Sequence, residues 1–492
     1  MSSSLYRLLK LAPALGMLVL INACKAPGDV TSDAMACFEH SGRNYSEVLG
    51  CYKKANALVA PDYKAEGVEQ VGDVQITRYR LLSQAWGSNG TVAPALWKHR
   101  VEIYTPRTVL PDKPAILVVN DGVNNPLPGS PPGAPNNFTR DSLLRIARET
   151  GSSVVVVDDV PNQYLTYNND GKLRTEDDSV AHSWKLFMQA PAADPFMAVN
   201  VPAMEAVIKT MDLADRELPV KASGYILTGA SKRAWAVWLA MLLDKRVSAI
   251  APIVIETLNG KLAFDHAYQV YGQSWPLAFI DYYREGVTAQ RDSEAFDKLM
   301  RVIDPLHYLG TAYAPRLSTP KYIINASGDD FFVPDSSRNY YPSLPGAKSL
   351  RSIPNSAHDI RAFIPDALIP FFKRIRAGRL LPTVVPVAGG AFRFSELPIK
   401  VVRWNANNPQ ARDFRFNCNI RYMPTPLPVS QTVGPLDAAP KAGWHAAFIE
   451  ATFEDGMVAT TQVQIMPDTY PPLPPAPGGP FCQTLPGPGP TD

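Results

Sequence analysis

Between Pro114 and about Gly378, short β-branched runs alternate with longer amphipathic stretches, and few architectures accept that order. Ala115-Ile116-Leu117-Val118-Val119 is apolar at every position, as a strand buried on both faces requires. Ser152 to Val157, Tyr225 to Thr228, Val247 to Ile255 and Lys321 to Asn325 repeat the pattern. Arg140 to Thr150, Val201 to Leu213, Lys232 to Leu243 and Ile360 to Arg376 read as the helices between them. Strands separated by helices predict an α/β fold, a mostly parallel sheet with helices on both faces. Val74 to Leu81 and Trp97 to Tyr104 are expected as an antiparallel edge ahead of the parallel strands.

The rest of the chain departs from this rhythm. Between Glu256 and Tyr308 the periodicity is lost and aromatics gather: Phe264, Tyr268, Tyr271, Trp275, Phe279, Tyr282 and Tyr283. A lid-like insertion near 256–308 would lie over the carboxyl ends of the strands, where such sheets bind ligands. Its aromatics read first as the core of the insertion and second as substrate contacts. Beyond Pro382, short alternating runs separated by turn residues predict a β-rich, sandwich-like domain over 381–470. The proline-rich segment 471–492 reads as a flexible or polyproline-like tail. With 492 residues the chain accommodates two domains, the first over 24–380. A net charge of +2 gives no electrostatic case for nucleic-acid binding.

The N-terminus reads as a targeting segment. Arg7 and Lys10 precede an apolar stretch, Leu11 to Ala23, that is too short to span a bilayer. Ile21-Asn22-Ala23-Cys24 resembles the lipobox of bacterial lipoproteins. Residues 1–23 are therefore expected as a lipoprotein-type signal peptide with Cys24 lipidated; an ordinary cleaved signal peptide is the alternative. Either way the protein is exported, to the periplasm or the outer membrane, and touches the membrane only through that anchor. Of five cysteines, removing Cys24 leaves Cys37, Cys51, Cys418 and Cys482. In an oxidising compartment, sequence proximity favours Cys37 with Cys51 and Cys418 with Cys482. None has zinc-site spacing, so no metal is expected.

The chemistry centres on Tyr225-Ile226-Leu227-Thr228-Gly229-Ala230-Ser231-Lys232-Arg233. A buried strand runs through small residues into a helix, the setting in which a sharp turn lifts a serine hydroxyl above a sheet. The pattern is G-x-S-x-R, and Arg233 in place of a second glycine predicts a slightly more open turn. The bland reading of Ser231 is a helix N-cap. Its partners follow in order. Pro320 to Asn325 is a strand ending in Ala326-Ser327-Gly328-Asp329, where an acid can be presented; Asp330 is the alternative, favoured by counting back from Val333-Pro334. Ser349 to Ile353 is a further strand, and Pro354-Asn355-Ser356-Ala357-His358 follows it. A histidine there can take the serine proton while the acid holds its other nitrogen. The order Ser231, Asp329, His358 is that of the α/β-hydrolases. The Lys232 amide is one oxyanion donor, and the amide of Gly122 or Val123, after the first parallel strand, is the expected second. Asp158 and Asp159 read as structural acids or substrate contacts.

Several stretches resemble the PhoPQ-activated pathogenicity-related protein family. They include Val160-Pro161-Asn162-Gln163, Glu176-Asp177-Asp178, Thr228 to Trp235, Asp304-Pro305-Leu306, Gly328 to Ser336 and Pro354 to His358. Trp404 and Ala411 to Arg415 extend the likeness into the C-terminal part. The resemblance implies an α/β-hydrolase-like fold in exported or cell-envelope proteins, with names tied to envelope stress and antimicrobial-peptide resistance. It implies no defined substrate.

Two functions are thus expected. The first is a serine hydrolase acting on an ester- or peptide-type substrate through Ser231, His358 and Asp329, with no cofactor. The second is a catalytically inactive hydrolase-fold protein that binds a peptide or envelope polymer.

Overall fold

The all-apolar run Ala115–Val119 becomes β4, near the centre of a nine-stranded sheet. Before it in the chain come β1 (Asp62–Val71), β2 (Val74–Ala85) and β3 (Leu96–Pro106). After it come β5 (Val154–Val157), β6 (Tyr225–Ala230), β7 (Val247–Ile253), β8 (Lys321–Ala326) and β9 (Lys348–Ile353). Their order across the sheet is β1-β2-β3-β5-β4-β6-β7-β8-β9. The first three strands form the expected antiparallel edge, and from β5 to β9 every pairing is parallel. This computed structural model describes residues 30–491 apart from 88, 89, 128, 437–439 and 441. The expected signal peptide, 1–23, and Cys24 lie outside the described residues.

Strand periodicity sends alternate side chains to opposite faces. Leu117, Val119, Val155, Val157 and Leu227 enter one apolar core; Ile116, Val118, Val154, Val156 and Ile226 enter the other. Helices α1 (Val30–His40), α2 (Val48–Asn56), α4 (Glu176–Gln189), α5 (Asn200–Glu217) and α6 (Lys232–Leu243) contribute to the first core. Helices α3 (Arg140–Thr150) and α10 (Ile364–Arg376) contribute to the second. Helix α3 shows why its bounds were readable: Thr139 accepts the Ser142 amide at 3.3 Å, and Gly151 ends it at φ 57°. Helices α1 and α2 are joined by the Cys37–Cys51 disulfide. By loop-closure entropy that link contributes about 3 kcal/mol.

The insertion departs from expectation. Residues 256–308, read as lacking a period, hold α7 (Gly260–Val270), α8 (Ile280–Arg284) and α9 (Glu294–Ile303). Helix α9 buries Phe296, Leu299, Met300 and Ile303, a helical spacing, and Ser293 caps it by accepting the Phe296 amide. The aromatic residues that cluster before it masked this signal.

The C-terminal strands form two antiparallel sheets. One joins β10 (Val384–Pro386), β11 (Phe392–Phe394) and β14 (Thr432–Val433). The other joins β12 (Lys400–Asn408), β13 (Met423–Leu427), β15 (Trp444–Thr452), β16 (Val458–Thr460) and β17 (Gln464–Met466). Phe392, Phe394, Val401, Ile449 and Phe453 share one apolar core with α10 and the central sheet. This module is therefore docked through apolar contact, not hung from a linker. The tail is also pinned, contrary to the flexible reading of 471–492. Thr484–Pro486 pairs with Ser274–Pro276 of the insertion, and Cys482 is bonded to Cys418. Among the described residues, no helix is long and apolar enough to cross a membrane.

Candidate active site

Strand β6 is buried throughout and delivers Ser231 at its carboxyl end, one residue before α6. Ser231 holds φ 54° and ψ −130°, a conformation an L-residue adopts only where its surroundings enforce it. Its amide donates to the Ile253 carbonyl at 2.8 Å, which ties the turn to β7. A Cβ on Gly229 would lie 3.0 Å from the Arg233 carbonyl carbon and 3.1 Å from the Val119 oxygen. Glycine is needed there because the turn closes so tightly.

Arg233 does not open the turn, as its place in G-x-S-x-R had suggested. Its buried side chain leaves toward α4, where it meets the Glu176 carboxylate at 2.5 and 2.6 Å and the Val160 carbonyl at 2.6 Å. Lys232 joins the same cluster, 2.8 Å from Glu176 and 3.0 Å from Asp177. Burial opposes charge on Glu176, but Arg233 and Lys232 outweigh it and hold the carboxyl well below its ordinary range. Burial likewise opposes charge on Lys232, and Asp177 and Glu176 reverse it, raising the ammonium. Sequence reasoning noticed Glu176-Asp177 only as a familial stretch. The available signal was charge balance, three acids (Glu176, Asp177 and Asp178) opening one helix against two bases opening another.

His358 completes a chain of hydrogen bonds. Its Nε2 is 3.0 Å from Ser231 Oγ, and its Nδ1 is 3.0 Å from both Asp329 oxygens. Asp329 is buried and also accepts the amides of Phe331 at 2.8 Å and Phe332 at 3.2 Å. Phe331 and Phe332 thus fix the carboxylate through their amides, while their rings pack 4.8 and 6.0 Å from the imidazole. Burial would lower the His358 pKa, but the Asp329 charge and hydrogen bond prevail and raise it. Asp330 turns away and accepts from Asn417 at 3.0 Å. Burial and the charge of Asp329 push its carboxyl up. Of the two candidate acids, Asp329 meets the histidine.

Neighbouring loops hold these side chains. Gly328 donates its amide to the Ser356 carbonyl at 3.0 Å, linking the acid and base loops. Residues from the C-terminal module grip both: Phe416 N–H to the Gly328 carbonyl at 2.9 Å, and Tyr422 N–H to the Asn355 side chain at 2.7 Å.

The expected oxyanion donors are only partly present. Lys232 opens α6, so its amide is among the first-turn groups without an intrahelical acceptor. Val123 donates its amide to the Gly133 carbonyl at 3.3 Å. Gly122, at φ 128°, packs on Asp159 and Arg100, where a Cβ would come within 2.5 Å of the carboxylate. Neither residue lines the cleft at Ser231; Asp121 does. The Asp121 carboxylate accepts the amides of Asn136 at 2.8 Å and Asn137 at 3.0 Å, which fixes the loop beside the cleft. Asp159 pairs with Arg100 at 2.6 Å and Asp158 accepts from Asn120 at 3.0 Å, and neither lines the cleft at Ser231. Among the described residues, the metal-like cluster of Asp413, Cys418 and Cys482 has both sulfurs committed to a disulfide and its acid to Arg415.

Several known proteins are similar to this chain to different extents. The family model described as PhoPQ-activated pathogenicity-related protein matches residues 49–415. Autocrine proliferation repressor protein A of Dictyostelium discoideum is 30% identical over 441 residues, 80% of this chain and 85% of that protein. Among solved structures, acetyl xylan esterase 1 from Thermoanaerobacterium sp. JW/SL YS485 is similar over 68% of this chain and 93% of its own. Its identity is 14% and its TM-score 0.47. A glucuronoyl esterase from Solibacter usitatus covers 64% of this chain and 86% of its own, at 15% identity and a TM-score of 0.35.

Proposed function

The chain belongs to the PhoPQ-activated pathogenicity-related protein family, and we propose that it is an exported serine hydrolase of ester or amide bonds. The observation that carries this reading is the continuous contact from Ser231 through His358 to Asp329, each step at 3.0 Å. A serine hydroxyl is a weak nucleophile until a base takes its proton. Neutral His358 receives that proton at Nε2 as Oγ attacks the carbonyl carbon. Asp329 orients the ring and stabilises the imidazolium that results. The α6 N-terminus and the Lys232 amide face the developing oxyanion. His358 then protonates the leaving group, and water, activated by the same imidazole, releases the acid.

The two disulfides fit export to an oxidising compartment. Lipidation at Cys24, an envelope address and a role in envelope stress belong to the same proposal and rest on the sequence. The test is hydrolysis of chromogenic esters and peptide amides by the mature protein. Wild type turns over at least one of them, and Ser231→Ala loses roughly 10⁶-fold in kcat. A folded wild type that hydrolyses neither class, yet binds peptides, favours the inactive binding reading.

A further inference from the structure

Ser231 stands on the divide between two clefts of opposite character. One is narrow and walled by Trp184, Trp235, Phe264, Phe279, Tyr282 and Phe331. The other is much roomier and lined by Asp121, Glu176, Arg233, Asp359 and Arg361, together with His358. Ser231, Lys232, Asp177 and Phe331 border both, whereas His358 lines the polar cleft and not the aromatic one.

The side on which the imidazole lies fixes which cleft takes which half of the substrate. When the tetrahedral intermediate collapses, the bond from the acyl carbon to the leaving oxygen or nitrogen breaks, and that atom takes the proton from His358 Nε2. The leaving group therefore occupies the cleft that His358 lines. The remaining substituent of the acyl carbon, now bonded to Ser231 Oγ, points the other way until water releases it as a carboxylic acid. Resting on the hydrolase reading, we propose that the aromatic cleft is the acyl-binding site and selects a compact apolar acyl group, aromatic or branched. The polar cleft takes a hydrophilic leaving group.

The wall is a chain of touching rings. Centroid separations run 5.3 Å from Trp235 to Trp184, 5.3 Å to Tyr282, 5.8 Å to Phe279, 6.0 Å to Phe331 and 4.8 Å to His358. Both indoles are anchored, Trp184 to Asn200 at 2.8 Å and Trp235 to the Ile303 carbonyl at 2.6 Å. Such rings offer flat surface for an aryl group and resist spreading for a long alkyl chain. Charge in the cleft is cancelled: Asp177 meets Lys232 at 3.0 Å and accepts the Tyr282 hydroxyl at 2.9 Å. A charged acyl group would find no free counter-ion there.

The experiment compares kcat/KM of the full mature protein for p-nitrophenyl acetate, phenylacetate and dodecanoate, alongside labelling by a fluorophosphonate. The wild type should label and prefer phenylacetate over the other two by roughly tenfold or more, the order of discrimination an apolar pocket supplies. Phe279→Ala should erase most of that preference and raise dodecanoate turnover. Labelling with equal or better use of acetate or dodecanoate overturns the acyl-site assignment and leaves the hydrolase standing. Absence of both labelling and ester turnover overturns the two together.

Discussion

Phe416 donates its backbone N–H to the Gly328 carbonyl at 2.9 Å, so the C-terminal module touches the loop that carries Asp329. A Cβ on Gly328 would lie 2.6 Å from the Phe416 nitrogen and 3.1 Å from the Phe414 oxygen. Gly328→Ala must therefore displace one backbone or the other. Misplacing a catalytic group by about 1 Å costs on the order of 10²-fold. We expect that loss in kcat on any ester the wild type cleaves, with KM little changed. Full activity in this variant would show that the module does not position the acid.

The two adjacent acids make opposite predictions. Asp329 meets both sides of its task, the imidazole at 3.0 Å and two backbone amides, while Asp330 meets Asn417. Asp329→Asn should lower kcat by about 10⁴-fold, because the amide can no longer hold the required tautomer. Asp330→Asn should stay within about tenfold of wild type. Steady-state kinetics on both variants reads the difference.

The pH profile follows from the sign of the His358 shift. Despite burial, Asp329 raises the histidine pKa, so the proton binds more tightly than to a free imidazole. The base must be unprotonated to act, and activity should fall with decreasing pH through an inflection above the ordinary value of about 6.5. The residual activity of Asp329→Asn should inflect at lower pH, since the stabilising charge is gone. A pH titration of kcat/KM on both proteins checks the order of the two inflections.

Arg233→Gly restores the commoner G-x-S-x-G pattern and should nevertheless harm the protein. It removes the guanidinium from Glu176 and from the Val160 carbonyl, and it puts a glycine in the first turn of α6. Lost hydrogen bonds to a charged partner and the helix penalty suggest about 2–3 kcal/mol. That figure is discounted because the Glu176 side chain keeps 39% of its surface exposed. Urea unfolding monitored by tryptophan fluorescence measures it.

What could be read from the sequence was what local pattern determines. Ser231, Asp329 and His358 each follow a short strand, and strand ends in a parallel sheet converge on one rim. The oxyanion loop was not legible because Val123 pairs with Gly133 and Gly122 packs on Asp159 and Arg100, contacts that no local pattern encodes. Arg233 read as opening the turn because its partner, Glu176, is 57 residues away. The tail seemed free for the same reason: Trp275 faces Leu485 across more than half the length of the central domain. Proline content described its composition, and the Cys418–Cys482 bond decided its fate.

The most direct test of the account is covalent. A fluorophosphonate reacts fastest with a serine whose proton is being removed, and peptide mass spectrometry locates the adduct. The account predicts a stoichiometric adduct on the peptide containing Ser231 in wild type, none in Ser231→Ala, and strongly slowed labelling in His358→Ala. Folded wild type that takes up no probe, or equal labelling of Ser231→Ala at another residue, would contradict it.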